Sequence, residues 1–256
     1  MMDPEILGLL LLAAVAAGWI DAVVGGGGLL LLPALMVAAP HMPLATLLGT
    51  NKLGAVFGTT SAAIAYARKV KIDRKVVIPT AGLALLGSGL GAALATALTA
   101  DVLKPIIMVV LAGVALLVVF RPAMGTSPNP AMRTRNRILA ALALAGLGVS
   151  FYDGVIGPGT GVFLIIAFTA VLGMDFLHAS ASAKIVNVCT NIGALVVFAL
   201  GGHVDWLLGL GLAVCTIMGA QVGARMALRR GSGFVRAVLL VVVLALLVRM
   251  GWDVFV

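Results

Sequence analysis

The chain has 256 residues, of which 62% are hydrophobic and 10% are charged, and its formal net charge is +8. Soluble globular domains carry about 25% charged residues, and a soluble fold of this size must leave roughly a quarter of its unfolded surface exposed. A chain this apolar is therefore expected to lie in a lipid bilayer. The positive charge does not indicate a nucleic-acid partner, because the basic residues cluster in short loops and form no stripe or motif.

Ten apolar stretches follow one another along the chain. A transmembrane helix needs roughly 20 apolar residues, and most stretches reach that length. The second and seventh are too short and follow glycine-rich breaks, so we interpret them as half-helices or steeply broken spans. The chain begins with an acidic segment that lacks the basic leader of a signal peptide, so the first stretch is expected to remain in the mature protein. The stretches lie at 5–24, 29–39, 44–67, 76–98, 102–120, 138–156, 160–173, 176–200, 206–227 and 234–252.

The same residue pattern occurs twice, and the second copy lies 132 residues after the first. The offset is constant from Asp21 to Gly91, so the pattern indicates a duplicated unit. Two copies of a mostly apolar unit are typical of secondary transporters. The matched pairs are Asp21 and Asp153, Gly25 and Gly157, Gly27 and Gly159, Lys52 and Lys184, Asp73 and Asp205, Gly87 and Gly219, and Gly91 and Gly223.

Each copy contains a glycine-rich break, at 25–28 and at 157–161. In a regular helix glycine costs about 1 kcal/mol relative to alanine, and proline about 3 kcal/mol. Irregular backbone at membrane depth persists only where it is buried in protein or lines a wet cavity, so the shared break predicts a binding site. A half-helix beginning there would direct backbone N–H groups at an anion. The candidate ligands in the two breaks are Gly27, Gly28, Gly159, Thr160 and Gly161.

The basic residues of equivalent loops give the orientation. Residues 68–75 include five Lys and Arg, whereas their counterparts at 200–207 include none. One loop later the imbalance reverses, with one basic residue in 99–105 and three in 228–236. Because basic loops stay in the cytoplasm, equivalent loops are predicted to face opposite sides. The two copies are therefore predicted to be inverted repeats, related by a pseudo-two-fold axis in the membrane plane.

The predicted fold class is an all-α polytopic membrane protein with two inverted-topology repeats of about five helical segments each. We assign residues 1–122 to an N-terminal transmembrane repeat, 123–137 to a cytoplasmic linker and 138–256 to a C-terminal transmembrane repeat. The linker region is rich in Pro and Ser and includes four arginines from position 121 onward. Inversion requires an odd number of membrane crossings in each repeat. The number is either five, or three with an additional re-entrant hairpin, and each alternative places both termini outside the cytoplasm.

Lys52 and Lys184 lie about one-third of the way into the third segment of each copy. A charge near the bilayer centre costs between ~2.5 and ~10 kcal/mol. One interpretation is that these lysines snorkel to the interface; the other is that inverted helices bring both ammonium groups together to hold an anion. Neighbouring hydroxyls and amides would donate hydrogen bonds to an oxyanion, although such groups also bridge packed membrane helices. These neighbours are Thr50, Asn51, Ser182, Asn187, Thr190 and Asn191.

Asp21 and Asp153 lie four residues before the glycine breaks. A carboxylate does not attract an anion, so these residues need another role. Three roles remain open: neutralising a lysine, capping a half-helix, or taking up a proton during transport. Asp73 and Asp205 fall in loops and are predicted to be helix N-caps, and the paired glycines at 87, 91, 219 and 223 are predicted to let helices pack closely.

The sequence from Gly18 to Gly28, followed by leucine-rich sequence and Pro33, resembles the first signature of the sulfite exporter TauE/SafE family of membrane transporters. Gly49-Thr50-Asn51-Lys52 resembles that family's next segment, and Asp153 to Gly161 with Ser182-Ala183-Lys184 resembles its C-terminal repeat. The resemblance covers nearly the whole chain. It implies transport of sulfite, thiosulfate or an organosulfonate, with the glycine turns, Asn51, Lys52 and Lys184 as site candidates. Because Ala183 replaces the asparagine of the first copy, Asn187 or Asn191 would supply the second amide.

These observations predict a multi-pass protein of the bacterial cytoplasmic membrane that carries a small oxyanion by alternating access, with proton coupling through Asp21 and Asp153 left open. An anion channel for the same substrates is the alternative. An enzyme is not expected, because no nucleophile or metal motif lies beside a base, and no phosphate-binding loop indicates ATP-driven transport. No cofactor or metal is expected, and Cys189 and Cys215 are interpreted as small hydrophobic residues. The direction of transport and the oligomeric state stay open.

Overall fold

The computed structural model describes residues 3–97 and 127–255, with side chains as far as residue 242. All of the long regular elements in these ranges are helices, and five are long and apolar enough to cross a membrane by length and composition. The predicted stretch at 102–120 and the start of the linker lie outside the described residues. The helices are α1 (Pro4–Val24), α2 (Gly28–Ala38), α3 (Leu44–Ala67), α4 (Arg74–Ala95), α5 (Arg135–Val155), α6 (Thr160–Leu172), α7 (Phe176–Leu200) and α8 (Trp206–Phe255).

The duplicated sequence pattern corresponds to a duplicated series of helices. The starts of α2 and α6, of α3 and α7, and of α4 and α8 are each 132 residues apart. Two local departures interrupt the helices of the second copy: the middle of α5, Leu142–Val149, is a π-helix, and α8 bends at Gly231, whose φ is 72°. This bend separates the last two predicted stretches, which otherwise form one helical run.

The two short helices have the lengths expected of half-helices, with 11 residues in α2 and 13 in α6. α1 ends at Val24 because Gly25 adopts a left-handed conformation, with φ of 80°. In the second break Gly157 and Gly159 have φ of 89° and 87°. Side chains with a Cβ rarely adopt this region, which explains the glycines at these three positions.

Helices of one copy pack mainly against helices of the other. α1 and α3 pack against α8, while α5 and α7 pack against α4. A side chain at Gly219 would collide with the backbone carbonyl of Val15, and one at Gly91 would collide with that of Phe151. The close packing predicted at these glycines is therefore confirmed. The two copies are interlocked rather than side by side.

The predicted N-caps are also confirmed. The carboxylate of Asp73 accepts a hydrogen bond from the backbone N–H of Lys75, at the start of α4. The carboxylate of Asp205 accepts one from the backbone N–H of Leu208, at the start of α8. These caps satisfy N–H groups that have no partner within the helix and fix where the loops before α4 and α8 end.

The described loops gather at two ends of the helix bundle. At the end that we call the basic end, Arg133 forms an ion pair with Asp73, and the backbone N–H of Asn129 donates to Gly173 at 2.7 Å. Ser232 joins them through a hydrogen bond of 2.9 Å to Asp175. The opposite end contains residues 39–43 and 201–205, which include no Lys or Arg.

Candidate functional site

Each of the two lysines is buried and contacts the aspartate of the other copy. Lys52 is 2% exposed, and its Nζ donates to Asp153 Oδ2 at 2.6 Å. Lys184 is 0% exposed, and its Nζ donates to the backbone carbonyl of Asp21 and lies 3.5 Å from Asp21 Oδ2. Both ammonium groups are inside the protein rather than at its surface, which is not the geometry of a snorkelling lysine.

The two ion pairs are reciprocal. The lysine of the first copy meets the aspartate of the second, and the lysine of the second copy meets the aspartate of the first. Contacts that exchange in this way are expected of two units related by a two-fold axis. Of the three roles left open for the aspartates, neutralising a lysine is the one that this geometry displays.

The two pairs differ in how closely they are enclosed. The Lys52 and Asp153 side chains are both 2% exposed, whereas the Asp21 side chain is 16% exposed. Asp21 also accepts a hydrogen bond of 2.9 Å from the hydroxyl of Thr59 on α3. The Lys184–Asp21 pair is therefore looser and has a second donor. The separation of 38 residues between Thr59 and Asp21 gives no signal of this contact in the sequence.

The glycine breaks touch each other between the two pairs. The N–H of Gly161 donates to the carbonyl of Gly25 at 3.1 Å, and a side chain on either residue would collide with the backbone of the other. The ammonium of Lys52 lies against Gly157, where a Cβ would be 2.9 Å from Nζ. The breaks therefore allow two irregular backbone segments and a lysine to meet.

The backbone N–H groups at the second break are partly occupied. Thr160 donates its N–H to the carbonyl of Gly157 at 3.3 Å, and Gly161 donates to Gly25. The Thr160 hydroxyl also donates to the Gly157 carbonyl, at 2.7 Å. An anion at this break would need these groups to exchange partners. Tyr152, which the sequence did not single out, braces the break by donating from its hydroxyl to the Pro158 carbonyl at 2.7 Å.

A small cavity lies beside the first break and encloses about 270 Å³ of empty space, including its open part. Asn51 is 4% exposed, and its Oδ1 atom has no hydrogen-bond partner among the described residues. A buried amide oxygen without a partner is costly, so the cavity offers a position for a group that donates a hydrogen bond, such as a water molecule or a protonated ligand. The residues that line it include Asp21, Gly27, Gly28, Asn51, Thr59 and Thr216.

The polar residues of α7 form a short network behind Lys52. Lys52 Nζ donates to Asn191 Oδ1 at 3.3 Å, and the Asn191 amide donates to Asn187 Oδ1 at 3.5 Å. The Thr190 hydroxyl donates to the same Asn187 oxygen at 3.0 Å. The structure thus brings three of the candidate residues on α7 to the lysine of α3, on the other copy.

Two candidate residues are placed away from the ion pairs. Thr50 lies toward the opposite end, where its hydroxyl oxygen accepts the backbone N–H of Asp205 at 3.0 Å. Ser182, its equivalent in the second copy, lines a separate cavity at the basic end. Both are buried, but their side chains contact loops rather than the lysines.

Two lysines and two aspartates give the centre a formal charge of zero. An anion that enters would leave a buried carboxylate without its partner, which costs several kcal/mol in a low-dielectric interior. The site therefore exchanges an anion for a carboxylate only if that carboxylate is neutralised or moves away. Among the described residues no group of three or more His, Cys, Asp and Glu side chains is arranged to hold a metal ion.

Comparisons with known proteins agree with this architecture. A family profile described as "Sulfite exporter TauE/SafE" matches residues 10–250. The probable membrane transporter protein ORF9 of Sinorhizobium sp is 39% identical over 249 residues, which cover 97% of this chain and 94% of the relative. The probable membrane transporter protein YfcA of Escherichia coli strain K12 is 36% identical over 256 residues, covering 99% and 92%. A probable membrane transporter protein of Haemophilus influenzae is 31% identical over 249 residues, covering 97% and 96%. No solved structure matches.

Proposed function

This chain is a multi-pass membrane transporter that belongs to the sulfite exporter TauE/SafE family, and we propose that its cargo is a small sulfur-containing oxyanion. Sulfite, thiosulfate and organosulfonates are the candidates. The protein is a secondary transporter of the bacterial cytoplasmic membrane that works by alternating access. The name of the matching family supports the chemical class of the cargo, and the buried charges support the location of its site.

The observation that carries the proposal is the reciprocal arrangement of Lys52–Asp153 and Lys184–Asp21 around the touching glycine breaks. A lysine deep in a membrane protein is expensive and is usually retained for function. Here two are held at equivalent places by groups that a competing anion can replace. The oxyanion would take the position of a carboxylate beside one ammonium group, while Asn51 and Asn191 would donate amide hydrogens to its oxygens.

Charge balance then requires proton coupling. In the described state each lysine is neutralised by an aspartate, so an anion alone would leave one uncompensated negative charge in the interior. Protonation of Asp153 or Asp21 removes that charge and frees the ammonium group for the cargo. A monovalent sulfonate would therefore enter with about one proton, and divalent sulfite with about two, because breaking a buried pair without compensation costs about 3–5 kcal/mol.

The order of helix contacts supports the inverted arrangement of the repeats. Gly54 and Gly58 of α3 lie beside Leu212 and Thr216 of α8, so these two helices run in the same direction. α4 follows α3 after a short loop and so returns in the opposite direction. By the same criterion α5 runs with α4, since Gly87 lies beside Leu147 and Gly91 beside Phe151.

α1 completes the comparison of directions. Gly219 lies beside Val15 and Gly223 beside Trp19, so α1 runs with α8. α1 and its equivalent α5 therefore run in opposite directions, which is the relation that inverted repeats require. We place the basic end in the cytoplasm, because it gathers loop 68–73, Arg133 and Asp175 with the segment around Ser232, and cytoplasmic loops are enriched in Lys and Arg.

The test is an anion-binding assay on the purified protein. Thermal stability would be measured with sulfite, thiosulfate, sulfate and sulfoacetate, since a ligand at 100 times its Kd stabilises the folded state by about 2.7 kcal/mol. We expect stabilisation by at least one sulfur oxyanion. Lys52→Ala and Lys184→Ala are expected to abolish it.

Matched variants separate lost binding from lost folding. Lys52→Ala/Asp153→Asn and Lys184→Ala/Asp21→Asn remove one cation without leaving a buried carboxylate unpaired, and Lys69→Ala removes an exposed cation from the basic loop. The two paired variants should fold and not bind, whereas Lys69→Ala should bind normally. Unchanged affinity in both paired variants would refute the assigned site.

A flux measurement in liposomes separates a carrier from a channel. A proton-coupled carrier should accumulate the anion when only a pH gradient is imposed. Anion flux that ignores the pH gradient and does not saturate would contradict the carrier mechanism.

A further inference from the structure

Equivalent positions at the two ends of the protein are packed differently. At the opposite end, loop 201–205 is seated on the start of α3: the Asp205 N–H donates to the Thr50 hydroxyl oxygen at 3.0 Å. The carbonyl of His203 lies so close to Gly49 that a side chain there would collide with it. Thr50 is 0% exposed. This end is closed over Thr50.

At the basic end the equivalent residues do not meet. Ser182 corresponds to Thr50, and Asp73 corresponds to Asp205. Between them lies a cavity of about 640 Å³, including its open part, whose lining includes Lys71, Asp73, Arg133, His178 and Ser182. Among the described residues the Ser182 hydroxyl has only the sulfur of Met174 as a partner, at 3.8 Å, and Asp73 instead forms its ion pair with Arg133. The cavity therefore reaches Ser182, which is 2% exposed, and no contact between Ser182 and loop 68–73 closes this end as the Thr50–Asp205 hydrogen bond closes the other.

We propose that loops 201–205 and 68–73 are the two gates of the transport path, and that the structure is closed at the opposite end and open at the basic end. In the other state the two copies exchange conformations, which is how duplicated carriers alternate. Loop 201–205 then lifts from Thr50, and the N–H of Asp73 donates to the Ser182 hydroxyl. The assignment rests on the proposed function to the extent that it requires an alternating carrier.

Each gate lies next to one of the ion pairs. Thr50 precedes Lys52 by two residues on α3, and Ser182 precedes Lys184 by two on α7. At a rise of 1.5 Å per residue, each gate contact is about 3 Å along the helix from a lysine. Opening a gate therefore exposes the neighbourhood of one lysine, which assigns Thr50 and Ser182 to gating rather than to direct coordination of the cargo.

The two gates differ in how closely they close. Ala181 stands in α7 where α3 has Gly49. Its methyl group would keep loop 68–73 further from the helix than loop 201–205 is from Gly49. The open position of loop 68–73 is held by Arg133 and Asp73, whose side chains are 40% and 25% exposed. An ion pair this accessible to solvent is weak. It can therefore break in every transport cycle, which a gate requires.

Thiol accessibility tests the gates without any cargo. In a background of Cys189→Ala/Cys215→Ala, single Thr50→Cys and Ser182→Cys variants would be treated with a small membrane-impermeant methanethiosulfonate reagent, applied to one side of sealed vesicles at a time. Ser182→Cys is expected to react from the basic end, and Thr50→Cys is expected to be protected from both sides. Rapid reaction of Thr50→Cys, or no reaction of Ser182→Cys from either side, would overturn the assignment.

Two further substitutions, Gly49→Ala and Arg133→Ala, are each expected to shift the protein toward the state that is open at the opposite end. Gly49→Ala places a methyl group against the His203 carbonyl and should make Thr50→Cys reactive from the opposite end by roughly tenfold or more. Gly82→Ala is its control, because no atom of the described residues lies within 4 Å of a Cβ there, and it should change neither rate. If Thr50→Cys stays protected when it is combined with Gly49→Ala, the assignment of loop 201–205 as a gate would be contradicted.

Arg133→Ala removes the ion pair with Asp73 that holds loop 68–73 open, and it remains informative if Gly49→Ala does not fold. We expect slower reaction of Ser182→Cys and faster reaction of Thr50→Cys, each by up to about fivefold, since an exposed ion pair contributes little. Rates that rise together would contradict reciprocal gating. Since no anion is added, failure of these measurements would refute the gates and leave the binding assay as a separate test of the cargo.

Discussion

The Lys52–Asp153 pair gives the sharpest stability prediction, because the structure fixes both its enclosure and its partners. We consider Lys52→Ala, which removes the ammonium group and leaves Asp153 buried. Asp153 is 1% exposed and loses the 2.6 Å contact that neutralises it. The substitution should strongly destabilise the protein, and Lys52→Ala/Asp153→Asn should recover most of the loss.

The expected size follows from burial. Exposed ion pairs contribute about 0–1 kcal/mol, but removing one partner of a buried pair costs about 3–5 kcal/mol. Both side chains of this pair are 2% exposed, so the larger range applies. The Lys184–Asp21 pair should show a smaller coupling energy, because Asp21 is 16% exposed at its side chain, lies 3.5 Å from the ammonium and retains the hydroxyl of Thr59.

Double-mutant cycles on both pairs measure these couplings. Unfolding free energies would be obtained in mixed micelles with a rising fraction of denaturing detergent, followed by tryptophan fluorescence, for each single and paired variant. The reasoning is refuted if the coupling at Lys52–Asp153 is below about 1 kcal/mol, the value of a solvent-exposed pair, or if Lys184–Asp21 proves the stronger.

Four other substitutions test the packing and the loops. Gly161→Ala pushes a methyl group into the backbone of Gly25 and should destabilise the protein by about 1–3 kcal/mol. Gly82→Ala, which meets no atom of the described residues within 4 Å, should stabilise it by up to about 1 kcal/mol. Equal effects of the two substitutions in the unfolding assay would contradict the contact between Gly161 and Gly25. Burial raises the pKa of Asp175, but the N–H of His178, the hydroxyl of Ser232 and the charge of His178 outweigh it and hold this pKa below 3.8. A carboxyl whose pKa is lowered by folding stabilises the protein at pH values above its pKa in the unfolded chain, and this stabilisation is lost as the pH falls through its pKa in the folded protein. Asp175→Asn should therefore make the free energy of unfolding less dependent on pH below about pH 4. An unchanged dependence on pH in this range would exclude this role. Gly231→Ala has no neighbour within 4 Å but forces φ of 72° on alanine and should cost about 1–2 kcal/mol, which an unfolding free energy equal to that of the unaltered protein would contradict.

The sequence predicts most of the helices because two signals coincide. Apolar length locates α3 and α7 to the residue, at 44–67 and 176–200, and the constant offset requires the second series of helices to follow the first. The glycine breaks are also predictable, since left-handed backbone at Gly25, Gly157 and Gly159 needs residues without a Cβ. The bend of α8 at Gly231 is predictable as well, because a polar segment between two apolar stretches indicates a boundary between two helices, and the backbone is not helical at Gly231.

The partners of the lysines are not predictable from the sequence. Asp21 lies in the same copy as Lys52, and nothing in the spacing indicates that Lys52 instead contacts Asp153, 101 residues away. That choice depends on how α3 packs against the second copy, which is a tertiary property. Thr50 shows the same limit: it is two residues from Lys52, but the helix turns its side chain toward Asp205, so proximity in sequence to Lys52 does not bring it to the ion pairs.

The number of protons taken up when an oxyanion binds tests most directly whether the cargo replaces a carboxylate beside a buried ammonium group. Binding of a monovalent sulfonate would be titrated calorimetrically in two buffers of different ionisation enthalpy, with the unaltered protein and with Asp153→Asn/Asp21→Asn. We expect uptake of about one proton per sulfonate in the unaltered protein and none in the variant, because neutral amides already stand in for protonated carboxyls. Tight binding with no proton uptake in the unaltered protein would contradict it.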